Sequence, residues 1–178
     1  HFFSLLRKSN TQVLEILFAP DKAFTCLPRD FKLIREYGSQ LFCSETLKKS
    51  LQGYYHSELR LATGERSGNL GSKRKEAVET YGFSYKNFCQ MIRICLLGIN
   101  LFKYDEVIVD SRLYGPEQYD LLMEIKTQPQ NFTKDQLVDI ANMYFRQLLD
   151  AMDSSNIIHT FNKDLAADLI LQIKYNCP

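Results

Sequence analysis

The sequence predicts a mainly α-helical protein with one or two short strands, and three observations carry this prediction. Apolar residues recur at three- and four-residue intervals from Phe88 to Ile99, as they do on one face of a helix. Thr133 and Gln136 have the spacing of a capping box, which marks the first turn of a helix. A brief β-branched run at 106–109 is the best candidate for a strand.

The N-terminal segments are short and apolar. Residues 2–9 have an amphipathic helical pattern, and residues 30–37 predict a short helix ahead of Gly38. The apolar run at 13–18 is too short to distinguish a strand from a buried helix, and Pro20 ends it.

A longer helix is predicted after Ser44, which has the side chain of an N-cap residue. Gly53 falls inside its apolar pattern, where a glycine costs about 1 kcal/mol relative to alanine. We therefore expect Gly53 to mark close packing or the close approach of a ligand. Residues 63–72 then hold three glycines without periodicity and predict a loop.

Four further helices are predicted in the rest of the chain. The central helix spans 84–103, with Ser84 as its cap. Pro116 suits the first turn of a helix that continues to about Lys126. The capping box opens the next helix, and Asn162 caps a last one.

Size and composition are those of a globular domain. The chain has 178 residues, of which 45% are hydrophobic and 24% charged. We predict one helical region over 1–160, with a C-terminal helix over 161–178 packed on the same domain. The net charge of +1 creates no overall field that would attract nucleic acid, so any polyanion site must be a local patch.

The five cysteines include no CxxC pair, and their odd number argues against a closed set of disulfides. A reducing, cytoplasmic setting is therefore expected. Cys89 and Cys95 fall inside the apolar central helix and are predicted to be small core residues. No apolar run approaches the ~20 residues that cross a bilayer, so no membrane partner is expected.

Basic residues surround the glycine-containing loop and continue onto the central helix. Lys86 and Arg93 lie seven residues apart, about two turns, so they are near one face of that helix. Lys73 and Lys75 precede them. Two spaced cations on a rigid helix can hold phosphate. Glutamates alternate with these cations, however, and composition alone favours a solvated surface.

Other chemistry-bearing patterns are weak in this sequence. The segment 64–71 matches neither GxGxxG nor a P-loop. The three histidines are far apart and have no zinc-ligand spacing with a cysteine. Asp105, Glu106 and Asp110 flank the candidate strand but form no close D-x-D pair of the kind that holds two metal ions, so solvated strand ends are the better interpretation.

Several segments occur in an order that points to a known family. They are Asn10–Phe18, Gly53–Tyr54 with Ser57–Leu59, Lys73–Glu79, Tyr81–Lys86, Ile92–Arg93 with Leu96–Gly98, and Pro116–Lys126. In this order they resemble the C-terminal part of a bacterial and phage family of predicted nucleotidyltransferases. That family belongs to the DNA polymerase β superfamily, and some members lie in RNA-repair gene neighbourhoods. The resemblance covers roughly residues 1–155.

The resemblance implies the helical, substrate-side portion of an enzyme that moves a nucleoside monophosphate from a nucleoside triphosphate to an unknown acceptor, with RNA or another nucleic acid as a candidate. It implies that Lys86 and Arg93 contact phosphate, that Lys73 and Lys75 are second candidates, and that Tyr81 belongs to the same nucleotide site. In such enzymes two Mg²⁺ ions held by aspartates promote attack on the α-phosphate.

Two departures from the family pattern bear on chemistry. The family usually has histidine where this chain has Asn87. The superfamily's Gly-Ser turn with paired aspartates is not found after Gly38-Ser39 or Gly71-Ser72, and in the family it lies upstream of the stretch that matches residues 2–18. The chain also opens on an amphipathic segment without Met. We therefore expect no catalytic residue and no metal ligand in this chain. Either the chain is a fragment, or the upstream catalytic sheet was not retained in it, or the protein has lost catalysis.

A helical binding module without chemistry is the alternative hypothesis. Such a module would recognise a protein or RNA through residues 63–75. A Gly-Ser turn and two aspartates just before His1 in the parent reading frame would favour the enzyme, and their absence would favour the module.

Overall fold

The computed structural model describes residues 1–65 and 72–175, with the side chains of 72–74 outside that description. These residues form nine α-helices joined by turns and irregular connections, so the predicted mainly α fold class is confirmed. The helices are α1 (Phe2–Arg7), α2 (Thr11–Phe18), α3 (Arg29–Glu36), α4 (Ser44–Ala62), α5 (Ser72–Tyr81), α6 (Tyr85–Tyr104), α7 (Pro116–Thr127), α8 (Lys134–Ser154) and α9 (Lys163–Tyr175).

The predicted strand at 106–109 is wrong. These residues form an irregular connection between α6 and the 3₁₀ turn Ser111–Leu113, and no strand occurs anywhere in the described part of the chain. The Tyr114 hydroxyl donates to the carbonyl of Ile108 at 2.7 Å. A side chain therefore satisfies a backbone carbonyl that would bond to a neighbouring strand in a β-sheet. A β-branched run forms a strand only beside another strand, and the surrounding helices offer no edge to pair with.

Contacts divide the chain into two compact units, residues 1–50 with 156–178 and residues 51–155. The division predicted from the sequence, between 1–160 and 161–178, stays a prediction. The first unit has a core of buried aliphatic side chains, among them Leu6, Leu14, Leu17, Leu41 and Leu47.

Ser44 has a different role from the predicted one in this first unit. It is the first residue of α4, and its hydroxyl accepts the His159 backbone N–H at 2.8 Å. The Ser44 N–H in turn donates to the His159 carbonyl at 3.0 Å. This two-bond exchange joins residues that are 115 positions apart in the sequence, which a local pattern could not indicate.

The second unit is built around α6. This helix packs mainly against α8 and α7, and twelve of its residues are buried. Phe88, Met91, Ile92 and Cys95 are fully buried along it. The burial of Cys95 confirms its predicted place in the core, whereas Cys89 is only partly buried.

Gly98 lets α6 and α8 approach closely. A Cβ atom at this position would lie 2.5 Å from Cδ1 of Leu148 and 3.0 Å from Cδ1 of Leu51. Gly53 is exposed, and a Cβ atom there would meet nothing within 4 Å. The close packing expected at Gly53 is therefore found at Gly98 instead.

Several helix ends follow the local sequence. Thr133 and Gln136 form the predicted capping box at the start of α8. Pro116 is the first residue of α7. The Asn162 side chain accepts the Leu165 backbone N–H at 3.0 Å and caps α9. These predictions are confirmed. Each of these signals lies within the first turn of its helix, so the local sequence is enough to indicate it.

Candidate functional site

A groove of about 460 Å³ lies between α6, α7 and the turn at Ser111, within the second unit. Three cationic side chains line it, Lys86 and Arg93 from α6 and Lys126 from α7. None of the described residues that line it is acidic. The other lining residues are Tyr85, Cys89, Gln90, Ser111, Leu122 and Met123.

The helical register of α6 brings the first two cations to the same groove. Lys86 and Arg93 are seven residues apart, so they lie near one helix face. Phe88 and Ile92 are fully buried on the core side of the same helix. Because those core residues fix the rotation of α6 about its axis, the two cations are held toward the groove rather than toward the core.

Arg93 is held by contacts to both its side chain and its backbone. Its Nη2 donates to Oε1 of Gln90 at 2.9 Å. The Tyr114 hydroxyl lies 3.4 Å from the Arg93 carbonyl oxygen. A guanidinium that is ordered before binding loses less side-chain entropy when it engages a phosphate.

Lys86 lies at the other end of the groove. Its ammonium is 5.6 Å from the centroid of the Tyr85 ring, which is within the range of a cation–π contact. The side chain is partly exposed, so its ammonium can still reach a ligand in the groove.

Cys89 lies on the groove wall and is not a nucleophile at neutral pH. Burial raises the pKa of its thiol to about 12, and the neighbouring Lys126 opposes this only in part. The thiol contacts the Leu122 carbonyl at 3.7 Å. A group that stays protonated cannot attack an electrophile, so Cys89 contributes packing rather than chemistry.

Asn87, next to Lys86 on α6, lies in a buried polar network. Its Oδ1 accepts the Ser84 hydroxyl, and its Nδ2 donates to Oε2 of Glu58 at 2.6 Å. Both Ser84 and Asn87 are fully buried. Ser84 occupies the predicted N-cap position of α6, but its side chain serves this network instead of a cap bond. The Asn87 amide thus bridges Ser84 and Glu58.

Two of the other predicted site residues, Tyr81 and Lys75, do not line the groove. Tyr81 is 38% exposed and lines a neighbouring hollow together with Lys86. Lys75 is exposed on α5 and lines neither cavity. The side chain of Lys73 lies outside the described residues, as does most of the loop that the alternative hypothesis uses.

Lys126 is the functional candidate that sequence reasoning missed. In the sequence, Lys126 marks only the approximate end of the predicted helix that begins at Pro116. Its place beside Lys86 and Arg93 depends on how α7 packs against α6, and no spacing within the sequence encodes that contact. The resemblance to the family, which includes Pro116–Lys126, was the one signal that could have directed attention to it.

The described residues do not fit a Mg²⁺ site. They contain no group of three or more His, Cys, Asp or Glu side chains that could hold a metal ion. Asp110, one of the carboxylates beside the predicted strand, accepts the Arg112 backbone N–H at 3.2 Å and its Nε at 2.8 Å. Its carboxylate therefore closes a turn, and no metal-dependent step is derived from these residues.

The fold and the groove define a mainly α protein with a three-cation groove on its second unit. In comparisons with known proteins, no family model matches the chain, and neither a curated protein nor a solved structure matches it. The similarity to nucleotidyltransferases therefore stays a prediction. No helix in the described ranges is both long enough and apolar enough to cross a membrane.

Cys43 is expected to be the most readily ionised of the three cysteines with a shifted pKa. The Thr46 backbone N–H donates to its sulfur at the start of α4 and lowers the pKa of the thiol below its ordinary value. Burial raises the pKa of Cys89 and Cys95 to about 12, so about one thiol in 10⁴ is ionised at pH 8. Iodoacetamide at pH 8, followed by peptide mass mapping, should modify Cys43 far faster than Cys89 or Cys95.

The pH profile gives the control for this experiment. Because the folded pKa of Cys43 is lowered, its labelling should reach half of the maximal rate at lower pH in native protein than in urea. Cys89 and Cys95 should gain reactivity only on unfolding. A Cys43 midpoint that is higher in native protein would contradict the helix-terminus contact.

Proposed function

We propose that this chain is the helical, substrate-side portion of a nucleotidyltransferase and that its groove binds the triphosphate of a nucleoside triphosphate. The observation that carries the proposal is the convergence of Lys86, Arg93 and Lys126 on one groove that no acidic side chain lines within the described ranges. The acceptor proposed from the family resemblance is RNA or another nucleic acid.

The chemistry of the three cations suits a polyphosphate. Arg93 offers a planar fork of donors that can engage two phosphate oxygens at once. Lys86 and Lys126 add two compact charges to the same groove. Because all three face one cavity, a chain of phosphates can contact them together, whereas a single small anion would use only part of the set.

The proposed role in the reaction is positioning. Nucleotidyl transfer requires an acceptor hydroxyl in line with the bond between the α-phosphorus and the departing pyrophosphate. Cations that hold the phosphate chain keep the breaking bond aligned with the acceptor hydroxyl. They also offset the negative charge that moves onto the departing pyrophosphate. The three cations can do this without donating or removing a proton, in accord with the expectation that no catalytic residue lies in this chain.

Removing the cations should weaken triphosphate binding. Isothermal titration calorimetry with ATP and with methyl triphosphate, a monoester without a base, measures this directly. Each of Lys86→Ala, Arg93→Ala and Lys126→Ala should weaken both ligands about ten-fold, or ~1.4 kcal/mol. That value is at the lower end for hydrogen bonds to charged groups, since solvent screens these side chains. Added salt should weaken binding further.

Lys103→Ala is the matched control. Lys103 is an exposed lysine on the same helix, but it does not line the groove. Its replacement should leave both affinities unchanged. Equal affinity of wild type and the Lys86→Ala/Arg93→Ala variant, or an equal loss in Lys103→Ala, would contradict the proposed phosphate site.

A further inference from the structure

A second hollow, of about 300 Å³, adjoins the cationic groove. Tyr85 and Lys86 line both cavities, so the two lie side by side along these residues. The remaining wall of the hollow comes from α5, through Glu76, Ala77, Thr80 and Tyr81. A ligand that extends past Tyr85 and Lys86 would contact both cavities.

The two cavities differ in charge. Among the described residues, the groove is lined by three cations and no carboxylate, whereas the hollow has the Glu76 carboxylate beside the shared Lys86. A phosphate would be repelled by Glu76 and attracted by the groove. A neutral ring with N–H donors would instead find an acceptor in the carboxylate, and a second acceptor in the Thr80 hydroxyl oxygen.

Two tyrosine rings line this hollow. Tyr81 meets Tyr85 edge-on, with ring centroids 6.0 Å apart and planes at 83°. The Lys86 ammonium already lies over the Tyr85 ring, whereas 38% of Tyr81 is exposed. Gly82 has φ +78°, a left-handed conformation that turns the chain between α5 and α6 and keeps Tyr81 beside Tyr85. Tyr81 is thus the ring on which a planar ligand can stack.

We propose that this hollow binds the base of the nucleoside triphosphate whose phosphates lie in the cationic groove. This inference rests on the proposed function and adds the orientation of the ligand. Lys86, at the junction, lies nearest the α-phosphate. Arg93 and Lys126 hold the terminal phosphates, and Tyr81 stacks on the base.

The test separates the base from the phosphates. ATP and methyl triphosphate share the phosphate chain, but only ATP has a base. Wild-type protein should bind ATP about ten-fold more tightly than methyl triphosphate, within the range found for stacking of a base on an aromatic side chain. Tyr81→Ala should bring this ratio close to one while the affinity for methyl triphosphate stays unchanged. Tyr81→Phe keeps the ring and should keep the ratio.

Tyr104→Ala serves as the matched control, because Tyr104 is 65% exposed at the opposite end of α6 and lines neither cavity. It should change neither affinity, and circular dichroism should show that all variants keep their helix content. A wild-type ratio of one, or an equal loss of both ligands in Tyr81→Ala, would overturn the base site and leave the phosphate site standing. Failure of both ligands to bind wild type would overturn both proposals.

Discussion

Replacing Leu148 by alanine is expected to lower the free energy of unfolding by about 2–5 kcal/mol, as other large-to-small changes in cores do. Leu148 is fully buried on α8, and it packs directly over Gly98 of α6. Its loss would leave a void between the two helices that form the main contact of the second unit. Urea unfolding followed by circular dichroism measures the change.

Gly98→Ala should also be destabilising, because the new methyl group would lie 2.5 Å from Cδ1 of Leu148 and 3.0 Å from Cδ1 of Leu51. Both leucines are fully buried and have no solvent space to move into. Overpacking of this kind costs about 1–3 kcal/mol.

The double variant tests whether these two effects share one cause. In Gly98→Ala/Leu148→Ala the methyl group at 98 can occupy space that Leu148 has vacated. The combined loss should therefore be smaller than the sum of the single losses by about 1 kcal/mol or more. Strict additivity would mean that the two residues are not in direct contact.

Gly53→Ala provides the matched control, since it makes the same chemical change where a Cβ atom meets nothing within 4 Å. Gly53 lies inside α4 and is exposed. Alanine there should stabilise the protein by about 0.5–1 kcal/mol through helix propensity. Opposite signs of the change in unfolding free energy for Gly53→Ala and Gly98→Ala would separate the effect of packing from that of helix propensity.

Asn87→Asp is expected to have the second large effect. It should lower the free energy of unfolding by about 3 kcal/mol at pH 7, which is comparable with leaving a buried charge uncompensated. The replacement has nearly the same shape, but it removes the Nδ2 donor that contacts Oε2 of Glu58 at 2.6 Å. Two carboxylates would then face each other at a position that is fully buried. Ser84 could still donate its hydroxyl to the new side chain.

The loss should depend on pH with a definite sign. Burial and the facing carboxylate raise the folded-state pKa of an aspartate at position 87 above its unfolded value of about 3.9. The folded variant therefore holds a proton that the unfolded chain releases, and stability falls as the pH rises between these two values. Urea unfolding should show a smaller difference from wild type at pH 4.5 than at pH 7.

Asn142→Asp is the matched control for this experiment. The Asn142 side-chain oxygen accepts the Tyr55 hydroxyl at 2.9 Å, and a carboxylate can accept the same bond. We expect Asn142→Asp to lower the free energy of unfolding much less than Asn87→Asp does. An Asn87→Asp loss that is equal at both pH values would contradict the proposed repulsion between residues 58 and 87.

Sequence reasoning succeeded where the structural signal lies within a few residues along the chain. The helices with strong local signals were predicted correctly, and the cap at Asn162 follows from groups within one turn. The seven-residue spacing of Lys86 and Arg93 likewise placed both cations on one side of α6, and both line the same groove. The β-branched run at 106–109 failed as a strand because strand formation depends on a partner, not on local propensity.

Sequence alone determined the helical class, most helix ends and one pair of cations, because these depend on contacts between residues that are close along the chain. Tertiary structure alone decided that Lys126 joins that pair, that Gly98 rather than Gly53 is closely packed, and that Asn87 bridges Ser84 and Glu58. Each of these facts depends on the packing of one helix against another. That packing is set by the shapes of many buried side chains together, and no local spacing records it.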